Sequence, residues 1–286
     1  MNTTVRDVCD IIDSIAPFSL AEPWDNCGLQ AGSFSSPVKR ILVALDASMD
    51  AMSNARLVNA DMLLTHHPLM LTLPKVVDFD VMPGVIIKMA VKGHISVVSA
   101  HTNLDKARGG LNDYFAQMAG LKELTPLVKD DSSPGSISSA LSLPGTSSGL
   151  SSQGAGLGRV GLLEKPLSLK FFALELQKTF NADIVRIVGN PEQEVRSVAV
   201  CTGSGGSLLK HFFSSGAELF VTGDIKYHEA RDIEAAGRGL IDLGHFATEQ
   251  IAVTLLAEKL EKAFLDKGLS LEILTFQAER DPFMKL

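Results

Sequence analysis

Cysteine is scarce in this chain of 286 residues: Cys9, Cys27 and Cys201 are an odd set with no close spacing. Their scarcity excludes a disulfide framework and a cysteine-based zinc site, and leaves buried, reduced thiols as the expectation. Tryptophan occurs once and tyrosine twice, so the interleaved basic and aromatic residues of a single-strand platform are missing. An excess of positive charge is missing too. The formal net charge is −7, which argues against a broad basic face for nucleic acid. A small anionic ligand needs only a local positive site and is not excluded. No apolar run reaches about 18 residues, so no membrane-spanning helix and no membrane partner are expected. The first thirteen residues carry Asp7, Asp10 and Asp13 among apolar positions. That pattern is neither a secretory signal nor a basic transit peptide, and a cytoplasmic location is the expectation.

What is present is an alternation of helical and strand patterns. Val5 to Ile15 has helical apolar spacing with Thr4 as cap. Arg40 to Asp46 (RILVALD) reads as a strand covered on both faces, followed by a helix over Met49 to Asn59. Asp61 to Thr65 (DMLLT) is a second buried strand that runs into His66, His67 and Pro68. Pro83 to Lys92 reads as a helix with Pro in its first turn, and His94 to Ala100 as a strand ending at His101. A helix over Gly110 to Ala119 follows. Composition then shifts: Lys129 to Gly158 is dominated by Ser and Gly, as in a mobile loop or short insertion, with weak strand signals at Ile137 to Leu143 and Arg159 to Leu163. Beyond it, helices are expected at Leu169 to Thr179, Ser207 to Ser214, Lys226 to Ala236 and Phe246 to Leu265. Strands are expected at Asp183 to Val188, Arg196 to Cys201, Glu218 to Thr222 and Leu240 to Leu243, with Ser270 to Thr275 closing the sheet.

The two halves lie on each other. RILVALDAS from Arg40 matches RSVAVCTGS from Arg196, an offset of 156, and ADMLLTHHP from Ala60 matches AELFVTGDI from Ala217, an offset of 157. His101 and His245 each end a strand and are each followed four residues later by an acid, Asp105 and Glu249. Chance likeness among apolar βαβ units is the competing explanation. The fold class expected is α/β: two similar intertwined three-layer α/β/α lobes from an internal duplication, with mainly parallel sheets. The lobes are drawn at 1–128 and 159–286 around the Ser/Gly-rich stretch 129–158, with the site between them.

In open α/β sheets ligands gather beyond the carboxyl ends of strands, and four of the seven histidines, His66, His67, His101 and His245, sit there. Imidazole and carboxylate together suit zinc, iron, manganese or cobalt. His66, His67, Asp105, His245 and Glu249 are more than one tetrahedral ion needs, and suit two ions with open positions for water. Neighbouring residues of a strand face opposite ways, but His66 and His67 lie past the strand end, where the chain turns. His245 and Glu249, four apart, share a face if helix begins there. His101 and His228 are candidates for proton transfer, since an ordinary imidazole titrates near neutrality. Trp24, Asp25 and Asn26, in the turn-like segment PWDNCGLQ, and Asp224 are candidate substrate contacts; a turn with a packed indole is the plainer alternative. His94 and His211 read as structural. Thr202 to Gly206 has the composition of a phosphate cradle without a nucleotide fingerprint.

Taken together, WDNCGLQAG from Trp24, THHPL from Thr65, SAHTNLD from Ser99, TGDIKYHEA from Thr222 and GHFATE from Gly244 resemble the GTP cyclohydrolase 1 type 2 family, also called interacting-factor-3-like. The motifs occur in order over nearly the whole chain. The resemblance implies intertwined α/β/α lobes, a toroidal homohexamer and two divalent metal ions per subunit. It assigns these to the adjacent histidines His66 and His67, the acid Asp105, and His245 with Glu249, the last as bridge. Some relatives carry a domain between the halves; the stretch from Asp130 to Gly158 is too short for one. The family name implies hydrolytic opening of the GTP imidazole ring with release of formate, hence a small-molecule, nucleotide-like substrate. A metal-dependent hydrolase is therefore the leading expectation. A non-catalytic metal-binding scaffold and a partner-binding regulatory protein are the alternatives.

Overall fold

The computed structural model describes residues 3–129 and 154–284; the strand signal at Ile137 to Leu143 and most of the Ser/Gly-rich stretch lie outside them. In chain order the elements are α1 (Val5–Ile15), β1 (Gly28–Ala31), β2 (Arg40–Ala44), α2 (Met49–Leu57), β3 (Met62–Thr65), α3 (Gly84–Gly93), β4 (Ser96–Ser99) and α4 (Thr102–Lys106). There follow α5 (Leu111–Met118), β5 (Lys122–Lys129), β6 (Gly156–Ser168), α6 (Leu169–Thr179), β7 (Arg186–Val188), β8 (Glu194–Ser204) and α7 (Leu209–Ser215). The rest are β9 (Leu219–Gly223), α8 (Tyr227–Ala235), β10 (Gly239–Asp242), α9 (His245–Glu249), α10 (Ile251–Asp266) and β11 (Glu272–Thr275). They form a mixed α/β protein of two compact units. Among the described residues, unit 1 holds 3–107 and 252–279, and unit 2 holds 108–129, 154–251 and 280–284.

Unit 1 is built on a five-stranded sheet of order β1-β4-β3-β2-β11. β2, β3 and β4 run parallel in the register Ile41↔Met62↔Ser96, β11 joins parallel to β2, and β1 closes the other edge antiparallel to β4. The period-two alternation of a strand sends Leu42, Ala44, Leu63 and Val97 to one face, where they pack on Met52 and Ala55 of α2 and Ile86 and Ala90 of α3. Ile41, Val43, Met62, Leu64 and Val98 point the other way and are buried as well. A sheet with both faces covered needs continuous apolar strands, which is why RILVA and MLL carry no polar alternation. The last segment corrects an expectation: β11 pairs with β2 of the first sheet, and Phe276 joins that core.

Unit 2 has a six-stranded sheet, β5-β6-β8-β9-β10-β7. β8, β9 and β10 are parallel in the register Val198↔Leu219↔Gly239, flanked by antiparallel β6 and β7. Val198, Val200, Val221 and Ile241 pack against Phe115 of α5 and Phe172 and Leu176 of α6. Ala199, Cys201, Phe220 and Leu240 pack against Phe212 of α7 and Ile233 of α8. Helices thus cover both faces. The strand expected at Arg159 to Leu163 is longer, part of β6. Its partner β5 was not marked by the sequence, because Pro126 and the charged Lys122 and Glu123 are edge-strand residues. The single helix expected from Phe246 to Leu265 divides into α9 and α10 at Gln250, which keeps helical dihedrals of φ −56° and ψ −24°. Among the described residues no helix is long and apolar enough to cross a membrane.

Candidate metal centre

Parallel strands bring their carboxyl ends to one edge of the sheet. In unit 1, β2 is followed by Asp46, β3 by His66 and His67, and β4 by His101. The ladder continues past β3: the His66 N–H donates to Ala44 O at 3.3 Å and the His67 N–H to Leu45 O at 3.0 Å. The Thr65 hydroxyl donates to His67 O at 2.6 Å, fixing the turn before Pro68. The three imidazoles converge, with ring centroids 5.0 Å apart for His66 and His67, 5.2 Å for His66 and His101, and 5.5 Å for His67 and His101. One ring nitrogen from each lies within 4.8 Å of the others. Asp105, in the last turn of α4, places Oδ1 3.8 Å from His66 Nε2.

Each ring has its Nδ1 engaged by an oxygen. His66 Nδ1 lies 2.9 Å from the Ala100 carbonyl, His67 Nδ1 2.8 Å from Asp46 Oδ1, and His101 Nδ1 2.9 Å from Asp25 Oδ1. Carbonyls and carboxylates only accept, so Nδ1 donates and the lone pair of each neutral ring sits on Nε2. That is the arrangement in which a protein presents imidazole to a cation, with the oxygen partner fixing tautomer and ring plane. Asp25 is buried and also accepts from the Thr102 N–H at 3.0 Å, the Thr102 hydroxyl, and Cys27 Sγ at 3.0 Å. Burial opposes its charge, but the bonds from His101, Cys27 and Thr102 outweigh it and hold the carboxyl well below the usual range. Burial lowers the pKa of His101, and Asp25 and Asp105 more than reverse that. Burial and the Asp25 charge push the Cys27 thiol far up, so it is inert. Glu279 accepts the N–H groups of Leu45 at 2.7 Å and Asp46 at 2.8 Å, pinning the backbone that carries the partner of His67.

In unit 2, α9 puts His245 and Glu249 on one face, with Nε2 and Oε2 2.7 Å apart. His245 Nδ1 is held by Asp224 Oδ2 at 2.7 Å. Burial disfavours the charged ring, yet Glu249 and Asp224 outweigh burial and push its pKa up to about 9. Asp242, at the end of β10, sets this geometry from beneath. It accepts from the Gly244 N–H at 3.0 Å, the Ile225 N–H at 3.2 Å and the Arg186 guanidinium, so it fixes the residues beside both His245 and Asp224. Gly203 backs directly on Glu249. Its φ is +63°, and a Cβ there would lie 2.1 Å from Glu249 Oε1. Its N–H donates to the Thr248 hydroxyl at 2.9 Å, while the Thr202 N–H donates to Asn112 Oδ1 at 3.0 Å.

The structure therefore gathers His66, His67, His101 and Asp105 in unit 1, and His245 with Glu249 in unit 2. Each group has the chemistry of a borderline divalent-cation site: in unit 1 three imidazoles converge with Asp105 beside His66, and in unit 2 His245 stands against Glu249. His101, expected as a proton carrier, stands within the group of ligand atoms. His228 is exposed on α8, its ring 5.3 Å from that of Tyr227. Asp25 and Asp224 hold His101 and His245, and Asn26 Nδ2 donates to Met70 O at 2.6 Å and Gln30 Oε1 at 3.1 Å. Trp24 is exposed, with its ring centroid 6.1 Å from that of His101. The stretch Thr202 to Gly206 does not form a phosphate cradle. Thr202 to Ser204 belong to β8, and Gly203 and Gly206 lie against the carboxylates of Glu249 and Glu229, which repel an anion. Asp46, Asp242 and Glu279 were missed. Asp46 and Asp242 end strands as the histidines do, and that position was the available signal.

A family model described as Duf34/NIF3 (NGG1p interacting factor 3) matches residues 3–282. The chain is 32% identical over 283 residues to a GTP cyclohydrolase 1 type 2 homolog of Clostridium acetobutylicum, covering 99% of each chain. It is 31% identical to a protein of the same name from Streptomyces coelicolor, over 98% of this chain and 93% of that one. Among solved structures, a Staphylococcus aureus hypothetical protein superposes with a TM-score of 0.88 at 25% identity over 100% of both chains. Reduced HcgD from Methanocaldococcus jannaschii gives 0.75 at 27% identity, covering 97% of this chain and 99% of that one.

Proposed function

The chain belongs to the Duf34/NIF3 family, and from that premise we propose that it is a dinuclear metal-dependent hydrolase acting on a nucleotide or related heterocycle. One observation carries the reading: three imidazoles of unit 1 converge within 4.8 Å at their ring nitrogens, and each of four histidines has its ring fixed through Nδ1 by a carboxylate or carbonyl. His66, His67, Asp105, His245 and Glu249 are the proposed ligands, and the Asp25–His101 pair adds His101 to them. When bound, two divalent ions such as zinc, iron, manganese or cobalt would supply Lewis acidity and an activated water. The protein's own part is to fix the ring planes through Asp46, Asp25 and Asp224, and to hold the substrate. Trp24, Asp25, Asn26 and Asp224 are the proposed substrate-side residues, and His228 the proposed proton carrier.

The substrate class rests on the relatives' name, GTP cyclohydrolase 1 type 2 homolog; the reaction proposed is opening of a purine imidazole ring, with formate released from GTP. A toroidal homohexamer and a cytoplasmic location complete the proposal. The test is elemental analysis of the purified protein together with formate detection on GTP. Metal in the preparation, formate release, and loss of that release in Glu249→Gln are expected. Silence across GTP, cyclic amidines and phosphoesters with metal bound, and no effect of Glu249→Gln, would leave a non-catalytic metal-binding scaffold. A second reading, a partner-binding regulatory protein, is favoured by one observation. Residues 71–82 expose Leu71, Leu73, Val76, Val77, Phe79, Val81 and Met82 in a single segment, an apolar surface that water disfavours.

A further inference from the structure

The reading above assigns four residues to the substrate, and the present inference rests on it. Three of the four are engaged by the protein itself: Asp25 by His101 and Thr102, Asn26 by Met70 and Gln30, and Asp224 by His245. Trp24 differs. It is 59% exposed, although the side chain of the next residue, Asp25, is wholly buried. Its plane stands 73° from that of His101, an edge contact that ties it to the imidazole group while leaving most of the indole to solvent. A large flat apolar surface kept in water beside a polar cluster is suited to stack on a flat ring of a ligand.

We propose that Trp24 is a stacking platform for a flat heteroaromatic ring of the purine or pterin class. The platform selects the ring and not the phosphate or sugar, because every such ring has a π-face whereas the other parts have none. Substrates without a ring, such as simple phosphoesters, gain nothing from it.

Trp24 is the sole tryptophan, so its fluorescence reports on this position alone. Purified, zinc-loaded protein should emit as a solvent-exposed indole and be quenched by acrylamide. Guanosine, GTP and a pterin should quench it saturably, while ribose 5-phosphate and inorganic triphosphate should not. By calorimetry, Trp24→Phe should bind guanosine nearly as wild type does, and Trp24→Ala about tenfold or more weakly. The proposal is overturned if the indole is shielded in the assembled protein, if no ring-bearing probe binds, if triphosphate alone quenches equally, or if Trp24→Ala binds guanosine unchanged. Ring binding without formate release would sink the hydrolase reading and keep the platform. Formate release with an unchanged KM in Trp24→Ala would do the reverse.

Discussion

The two units share a scaffold and differ in what stands at its working edge. In both, three parallel strands lie in matching register, Ile41↔Met62↔Ser96 against Val198↔Leu219↔Gly239, with an antiparallel strand beyond the third. Both begin the middle strand with the same device. Asp61 accepts the N–H groups of Lys39 at 2.7 Å and Arg40 at 3.0 Å, and Glu218 those of Arg196 at 2.7 Å and Ser197 at 2.9 Å. Beyond that strand the halves part. Where unit 1 has His66 and His67, unit 2 has Gly223 and Asp224. A Cβ on Gly223 would meet the backbone of Gly244 at 2.6 Å and of His245 at 2.7 Å, so backbone fills the space into which His66 projects a side chain. Asp224 then serves the imidazole of His245. Of the six proposed ligands unit 1 carries four, His66, His67, His101 and Asp105, and unit 2 carries two, His245 and Glu249.

The strongest way to test this division is Arg159→Ala. Arg159 is buried in unit 2, donates to both oxygens of Asp113, and also donates to Gly156 O at 2.6 Å and Gly158 O at 2.8 Å. Removing it leaves the buried Asp113 carboxylate with the Gly109 N–H but without its cation, at a cost of about 3–5 kcal/mol. Urea unfolding should show the loss. Amide exchange should quicken in α5, β5 and β6 while β2, β3 and β4 keep their protection; equal quickening in both would mean that the units do not unfold separately.

Next come Asp46→Asn and Asp224→Asn. Each removes the carboxylate that orients one histidine, His67 or His245, and each should weaken metal binding by about 10–100-fold in chelator competition. If Asp224→Asn leaves affinity unchanged while Asp46→Asn does not, the supporting role assigned to Asp224 is wrong.

The smallest effect is expected from Thr4→Ala, far from either edge. Thr4 and Asp7 form a capping box at the start of α1, and the substitution should cost about 1 kcal/mol. The bonds from Thr4 hold the Asp7 carboxyl below its ordinary value of 3.8. A depressed folded value stabilises the protein above the unfolded one and is lost as pH falls through the folded one. The gap in stability between wild type and Thr4→Ala should therefore be constant near neutrality and narrow below about pH 4; a gap that widens in acid would contradict the box.

Much of this was legible in the residues. His66, His67, His101 and His245 stood out because each ends an apolar run, where packing alone seldom asks for imidazole. Asp105 and Glu249 stood out by helical spacing from a histidine. The supporting acids were not legible, because a lone Asp at a strand end looks like a solvated turn residue until the ring it faces is seen. Glu279 is the extreme case, since its partners Leu45 and Asp46 are backbone groups more than 230 positions earlier. Short edge strands such as β1, four residues of intermediate burial, leave no periodic trace.

The placement of β11 reaches back to the ribosome. The sheet of unit 1 is incomplete until β11 emerges, and residues 108–275 must be translated first. At about 5–20 residues per second that is a wait of roughly 8 to 34 s. Through it, β2 offers an open hydrogen-bonding edge flanked by Ile41 and Val43. Unit 2, synthesised later, has its sheet strands in hand before unit 1 does. The half that carries the cluster of His66, His67 and His101 is thus the last to complete its sheet, and the nascent chain is open to mispairing along β2.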